Sequence, residues 1–359
     1  MKLFVCSNCL NTLYFENAVC LQCQHPLGFI SDRTSLIALE FMPGNDYSAM
    51  DNHSAFYRYC ANAAQGTCNW LLPSGDSAAF CPACDLNRTI PTLTNAGNQA
   101  KWKRIEIAKH RLIYSLLRLR LPFMSKQADE EKGLAFDFVA DLALDQRVLT
   151  GHNHGVITLN IDEADEAQRI RHKLDLGERY RTLLGHFRHE IGHYYWERLI
   201  QNTSAISEYR RLFGNEEQDY DDALKSYYQN GPPPDWSSRF ISPYASSHPW
   251  EDWSETWAHY FHLMDTMETA YNFGIGVHPV RKDQELEAQF NRDPYTLIDF
   301  HQVIKEWTPL SIAINNLSRS MGYEDFYPFV ISDIVSNKLA FIHRVCCPFR
   351  FQLSDSAGG

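Results

Sequence analysis

Eight of the ten cysteines fall within the first 84 residues, and their spacing limits what this part of the chain can become. Cys6-x-x-Cys9 and Cys20-x-x-Cys23 are separated by ten residues and read as two tight knuckles closing one tetrahedral zinc site. A second set, Cys60, Cys68, Cys81 and Cys84, contains a single Cys-x-x-Cys, and which knuckles pair across the two sets is open at this stage. His25 is a substitute ligand to consider, and iron is the alternative metal for a thiolate cage. Residues 1–90 otherwise hold turn residues and little periodicity. A stretch of that kind is expected to build a small core and to depend on metal for its fold. Adjacent Cys346 and Cys347 cannot comfortably share one ion and read as buried thiols.

Charge narrows the function. The formal net charge is −11, and residues 1–90 carry four basic against seven acidic side chains. Nucleic-acid and anionic-membrane binding both need a basic surface, so neither is expected, and the ribbons suit a structural role or a protein partner better. The one basic stretch, Lys101 to Arg120, has seven basic residues around Glu106 and reads as a solvated helix face. No apolar stretch of signal-peptide length follows Met1, and the run Leu116 to Phe123 is broken by Arg118 and Arg120. The expected location is the cytoplasm, where thiols stay reduced and clustered cysteines bind metal.

The remaining chain reads as α+β: a mainly helical domain over 100–359 with a small mixed sheet, following a zinc-ribbon module over 1–90 with two four-cysteine sites. Apolar positions from Trp102 to Leu121 recur at helical spacing, stopped by Pro122. Strands are expected at Phe136 to Val139 and at Val156 to Leu159, the second as an edge strand able to pair with an extended peptide or as a plain sheet strand. Helices are expected from about Glu178 to Ile200, from Pro249 to about Ala270, and near 291–304, 308–320 and 330–341.

The chemistry concentrates in His189-Glu190-x-x-His193. Residues four apart share a helix face, so both imidazoles can bind one zinc while Glu190 reaches a water on it. Zinc polarises a carbonyl and acidifies water, and Glu190 would take the water's proton and pass it to the leaving amine. A catalytic zinc needs a third protein ligand, and position 199, where an extended motif would place a histidine, is Leu199. The ligand is therefore sought in Pro249-Trp-Glu-Asp-Trp-Ser-Glu-Thr-Trp-Ala-His-Tyr260, with Glu251 as ligand and Glu255 orienting a zinc histidine; Asp252 and His259 are the other candidates. Tyr244, seven residues before Glu251, is a candidate oxyanion donor. His186 reads as a core or supporting residue, and Trp250, Trp253 and Trp257 as core.

These segments resemble a known family, the bacterial zinc-binding metallopeptidases with an N-terminal zinc ribbon. The resemblance runs nearly end to end. It rests on Phe15-Glu-Asn17, Cys68-Asn-Trp70, Thr150-Gly-His152 with Gly155-Val-Ile-Thr-Leu-Asn160, Arg181 to His193, His248 to Tyr260 and Arg319-Ser-Met-Gly322. It implies a zincin-like catalytic domain and a bacterial source, and names no established substrate. The tyrosine followed by Glu-x-x-x-Glu also resembles lethal-factor-like gluzincins, whose first glutamate binds zinc. That likeness maps onto Tyr244, Glu251 and Glu255, with Ser254 where alanine is usual. The expectation is a zinc peptidase with one catalytic and two structural Zn2+ acting on a cytoplasmic protein or peptide. The rival is a non-catalytic scaffold that binds a protein partner through its ribbons.

Overall fold

The computed structural model describes residues 2–44, 46–140, 148, 150–175, 182–281 and 284–351. The chain forms two compact units, Met1–Arg118 with Pro122–Asp175, and Leu119–Leu121 with Leu176–Gly359. This division lies downstream of the 90/100 boundary expected from composition. The reason is pairing: a strand just after Cys84 joins the sheet that follows, and the long helix between them brings His110 within 3.7 Å of Cys84.

In the first unit, β1 (Phe4–Val5) and β2 (Thr12–Leu13) form a short antiparallel pair around the first knuckle. Five strands follow as an antiparallel meander: β3 (Leu27–Ile30), β4 (Ser35–Phe41), β5 (Tyr47–Ala49), β6 (Asn52–Tyr59) and β7 (Leu71–Pro73). The expectation of little core here is corrected. Ile30, Ile37, Leu39, Ala49 and Leu71 form one apolar cluster, and Phe15, Phe29 and Trp70 pack edge-to-face or tilted against one another. All four residues of β3 are buried, so the strand shows no alternation to betray it. Gly28 is required in β3, because a Cβ there would lie 2.4 Å from the Leu71 side chain.

A second sheet has the order β10-β11-β9-β8, from β8 (Asn87–Thr89), β9 (Ala135–Val139), β10 (Gly151–Asn153) and β11 (Val156–Asn160). It is mixed, with β8, β9 and β11 parallel and β10 antiparallel. Of the two readings open for 156–159, the plain sheet strand holds, with β11 lying between β10 and β9. His154 and Gly155 take φ of 44° and 79°, the left-handed pair of a tight hairpin, and fold β10 over the free side of β11. Helix α1 (Asn98–Leu119) lies between β8 and β9 in sequence, and α2 (Glu166–Asp175) closes the unit.

The second unit is mostly helical: α3 (Leu183–Leu199), α4 (Ile206–Phe213), α5 (Tyr220–Asn230), α6 (Trp236–Arg239), α7 (Pro249–Asn272), α8 (Phe300–Ser320) and α9 (Asp333–Phe351). Positions 178–181 of the expected motif helix lie outside the described residues. Within them, α3 starts after Thr182, whose Oγ1 accepts from the Gly185 amide at 2.9 Å. The two helices expected at 291–304 and 308–320 are one helix. It is capped by Asp299, whose carboxylate accepts from the His301 amide, and it accommodates Pro309 internally, while 291–299 holds only a single turn at Pro294–Thr296. Of the two adjacent thiols on α9, Cys346 is buried and Cys347 only partly so, since neighbours on a helix point about 100° apart. Among the described residues no helix is long and apolar enough to cross a membrane.

Candidate metal centres and active site

Helices α3 and α7 come together where the sequence has least side chain. A Cβ on Gly192 would lie 3.0 Å from Ser254 Cα and 3.2 Å from Trp257 Cβ, so the helices approach almost backbone to backbone. Trp253 Nε1 donates to the Gly192 carbonyl at 2.8 Å, and the Trp257 ring stacks on Tyr195 at 5.1 Å. Both tryptophans are fully buried, as expected; Trp250 is only half-buried and lies with its ring 4.0 Å from that of His193.

This contact sets three side chains on one point. His189 Nε2 lies 3.0 Å from Glu251 Oε2, His193 Nε2 lies 3.5 Å from Glu251 Oε1, and the two Nε2 atoms are 3.2 Å apart. Zinc bound to nitrogen and oxygen at about 2.0–2.2 Å in a tetrahedron would separate its ligands by about 3.4 Å, so the donor set has the right size. The tautomer also fits. His189 Nδ1 lies 2.8 Å from Glu255 Oε1, and a carboxylate accepts, so Nδ1 carries a proton and Nε2 is the nitrogen whose lone pair a metal would take in place of a proton. Glu255 is itself held by the Ser242 hydroxyl, which donates to Oε2 at 2.5 Å.

The electrostatics follow from burial with opposite charges close by. Burial opposes charge on His189, but Glu251 and Glu255 outweigh it and hold the imidazolium well above its ordinary range. Burial likewise opposes charge on Glu251, and the two histidines hold its carboxyl well below the usual value. Glu190, buried beside the cluster, is pushed up by desolvation, with the imidazoles opposing. That is the direction a general base needs to work near neutral pH.

The other candidates separate cleanly. Asp252 points away from the histidines and binds Lys338 Nζ at 2.5 Å, with burial pushing its carboxyl up to about 7 against that cation. His259 Nδ1 lies 2.7 Å from the Tyr327 hydroxyl and is not part of the cluster. The Tyr244 ring is 6.1 Å from that of His189. Sequence reasoning missed Tyr220, the first residue of α5, whose hydroxyl donates to Glu251 Oε1 at 2.7 Å. It sits 31 residues before its partner, and no local pattern marks it.

In the first unit the cysteines gather into the two sets in sequence order, without interleaving: Cys6, Cys9, Cys20 and Cys23, and Cys60, Cys68, Cys81 and Cys84. Sulfur separations of 3.7 Å (Cys6–Cys23), 3.6 Å (Cys9–Cys20) and 3.8 Å (Cys68–Cys81) match the tetrahedral edge of about 3.8 Å that Zn–S bonds of about 2.3 Å require. His25 is outside the first set, its Nδ1 near the Cys23 carbonyl at 3.1 Å. The solvated-face reading of Lys101 to Arg120 is corrected at its centre. Lys109, Glu106 and His110 are buried, and Lys109 Nζ lies 2.9 Å from Glu106 Oε2, which holds the ammonium above its ordinary range although burial opposes the charge.

A family model described as "Putative zinc-binding metallo-peptidase" matches residues 98–345, and a zinc-ribbon domain model matches residues 3–95. The chain belongs to that metallopeptidase family. Uncharacterized proteins of Mycobacterium bovis and of two strains of Mycobacterium tuberculosis are each 40% identical to it over 346 residues, 96% of this chain and 95% of theirs. No solved structure matches the chain. Membership of the metallopeptidase family and the ribbon match agree with the resemblance in sequence and support zinc as the metal.

Proposed function

We propose that this metallopeptidase-family chain is a zinc-dependent peptidase that hydrolyses peptide bonds of a cytoplasmic protein or peptide, with a gluzincin-type site on a zincin-like domain. The observation that carries the reading is the convergence of His189, His193 and Glu251 within ligand range of one point, beside the buried Glu190. His189, His193 and Glu251 would hold the catalytic zinc, and the two cysteine sets two structural zinc ions. A zinc ion in the His–His–Glu site supplies Lewis-acid polarisation of the scissile carbonyl and acidifies water. Glu190 accepts the proton of the attacking water and delivers it to the leaving amine. Glu255 fixes the ring of His189 through Nδ1, with Ser242 behind it. Tyr244 donates its phenolic proton to the developing oxyanion.

Glu190→Gln preserves the shape of the site and removes the base. Cleavage of a peptide library by the wild type should fall about 10²–10⁴-fold or more in this variant, with three zinc ions per chain retained in both. A wild type that binds three zinc ions, leaves every peptide intact and binds a partner tightly through its ribbons would establish the scaffold instead.

A further inference from the structure

Residues 214–240 include no buried residue, although they span α5 and α6. A helix as short as α5, eleven residues, is marginal in isolation. Most helices are held by an apolar face packed on a core, and α5 buries none of its residues. Tyrosines hold it instead. Tyr220, its first residue, donates to Glu251 Oε1 at 2.7 Å, with its ring 5.2 Å from that of His248 and 5.8 Å from that of Trp250. Two turns on, Tyr227 lies edge-on to Tyr244, with ring centres 5.8 Å apart. Just before α5, the Gln218 carbonyl accepts from His248 Nε2 at 3.3 Å. That nitrogen carries the proton, because Nδ1 accepts from the Trp250 amide at 3.1 Å.

These contacts converge on the metal centre. Glu251 is one of its three donors, Trp250 packs on His193, and the Tyr244 ring is 6.1 Å from that of His189. Near the base of the stretch, Arg210 at the surface pairs with Glu216 and Glu217, and exposed pairs of this kind hold little. α5 is bracketed by two glycines in a conformation that other residues rarely adopt: φ 110°, ψ −173° at Gly214 and φ 74°, ψ −177° at Gly231. Nothing lies within 4 Å of the Cβ position of Gly231, so the backbone turn alone demands glycine there.

We propose that residues 214–231 form a lid over the metal centre, latched by the Tyr220 hydroxyl on Glu251 and hinged at Gly214 and Gly231. The lid rests on the reading of the His–His–Glu cluster as a zinc site and is independent of what that site cleaves. Shut, it covers one oxygen of a zinc ligand with a phenol and the Tyr244 ring with another. Opening takes no buried residue of α5 out of a core, which places α5 at the low-stability end of the structure. An extended peptide that reaches the ion and the Tyr244 hydroxyl has to displace α5.

The test uses the full chain loaded with zinc, as wild type, Tyr220→Phe and Gly231→Ala. His189→Ala identifies the ion of the His–His–Glu site as the one it lacks. Alanine at position 231 is strained in the closed form and relieved when the chain turns there, although its side chain would touch nothing. Mixed with excess chelator, each variant should release that ion about tenfold faster than the wild type, and the thiolate-bound ions at the wild-type rate. Amide hydrogen exchange in the wild type should be faster throughout α5 than in α3 and α7, and about tenfold faster again over α5 alone in both variants. Unchanged zinc release from Gly231→Ala overturns the lid, as does faster exchange confined to the last turn of α5, which is fraying. A wild type without the His189-dependent ion refutes the zinc reading itself. Exchange in that metal-free chain as slow in α5 as in α3 refutes the lid separately.

Discussion

Gly192→Ala tests whether the α3–α7 approach builds the metal site. The added Cβ would meet Ser254 Cα at 3.0 Å, Ser254 Oγ at 3.2 Å and Trp257 Cβ at 3.2 Å. Carbon contacts are comfortable at about 3.5–4.0 Å, so the helices must separate by roughly 0.5–1 Å. Two of the three atoms are backbone or Cβ, so trimming Ser254 to alanine cannot restore the fit. Two energies oppose each other. Replacing glycine within a helix gains about 1 kcal/mol of propensity, and overpacking costs about 1–3 kcal/mol. The net expectation is a modest destabilisation of about 1 kcal/mol. The larger effect falls on the metal. His193 follows Gly192 directly and Glu251 lies three residues before Ser254, so separation pulls donors apart that now stand 3.0–3.5 Å from one another. Ligand distances tolerate about 0.2 Å, and loss of support around a site costs about 10–100-fold in affinity. Zinc competition with a chromophoric chelator should show at least a tenfold loss at one site of three, and thermal unfolding of the metal-free protein only a small decrease. A variant with wild-type affinity at that site and an equal or higher unfolding temperature would refute the reasoning.

Three further outcomes are expected. Tyr220→Phe removes the 2.7 Å hydrogen bond to Glu251 Oε1 and should weaken zinc at the His–His–Glu site about tenfold without shifting metal-free unfolding; equal titration curves for the two proteins would rule this out. Lys338→Met leaves Asp252 buried without its cation and should cost up to about 3 kcal/mol in urea unfolding well above neutral pH, where the wild-type carboxylate is ionised. Burial already pushes that carboxyl up to about 7. Its folded value in the variant therefore lies further above about 7, so the cost should be level below about pH 6, where the carboxyl is protonated in both folded proteins, and grow as pH rises above about 7. In the first unit, burial opposes charge on Asp137, but its bonds with Arg88 outweigh this and hold the carboxyl below its usual value. Its contribution, under about 1 kcal/mol beside a half-exposed arginine, is present above the unfolded pKa and lost as pH falls through the folded one. Asp137→Asn should abolish that acid-side loss, and an unchanged pH profile would exclude it.

The parts of this molecule that were legible in sequence are those whose geometry is local. His189 and His193 are one turn apart, the knuckle spacings are intrinsic to a short turn, and both signals survive without knowledge of anything distant. Glu251 was legible as one of four candidates, because only packing decides which face of α7 meets α3. Helical rotation sends Asp252 to Lys338 and His259 to Tyr327, leaving Glu251 for the histidines and Glu255 for the far nitrogen of His189. The rest depends on partners far along the chain. β3 is buried on both faces and so lacks a period. Lys109 looks like a surface residue until Asn87, 22 positions away, and Glu106 are seen to enclose it. A buried charge is held by what surrounds it, so only tertiary structure can reveal it. The same reasoning explains why no local pattern marks Tyr220. Its hydroxyl meets a cluster whose members come from α3 and α7, and its own neighbours in sequence do not encode that contact.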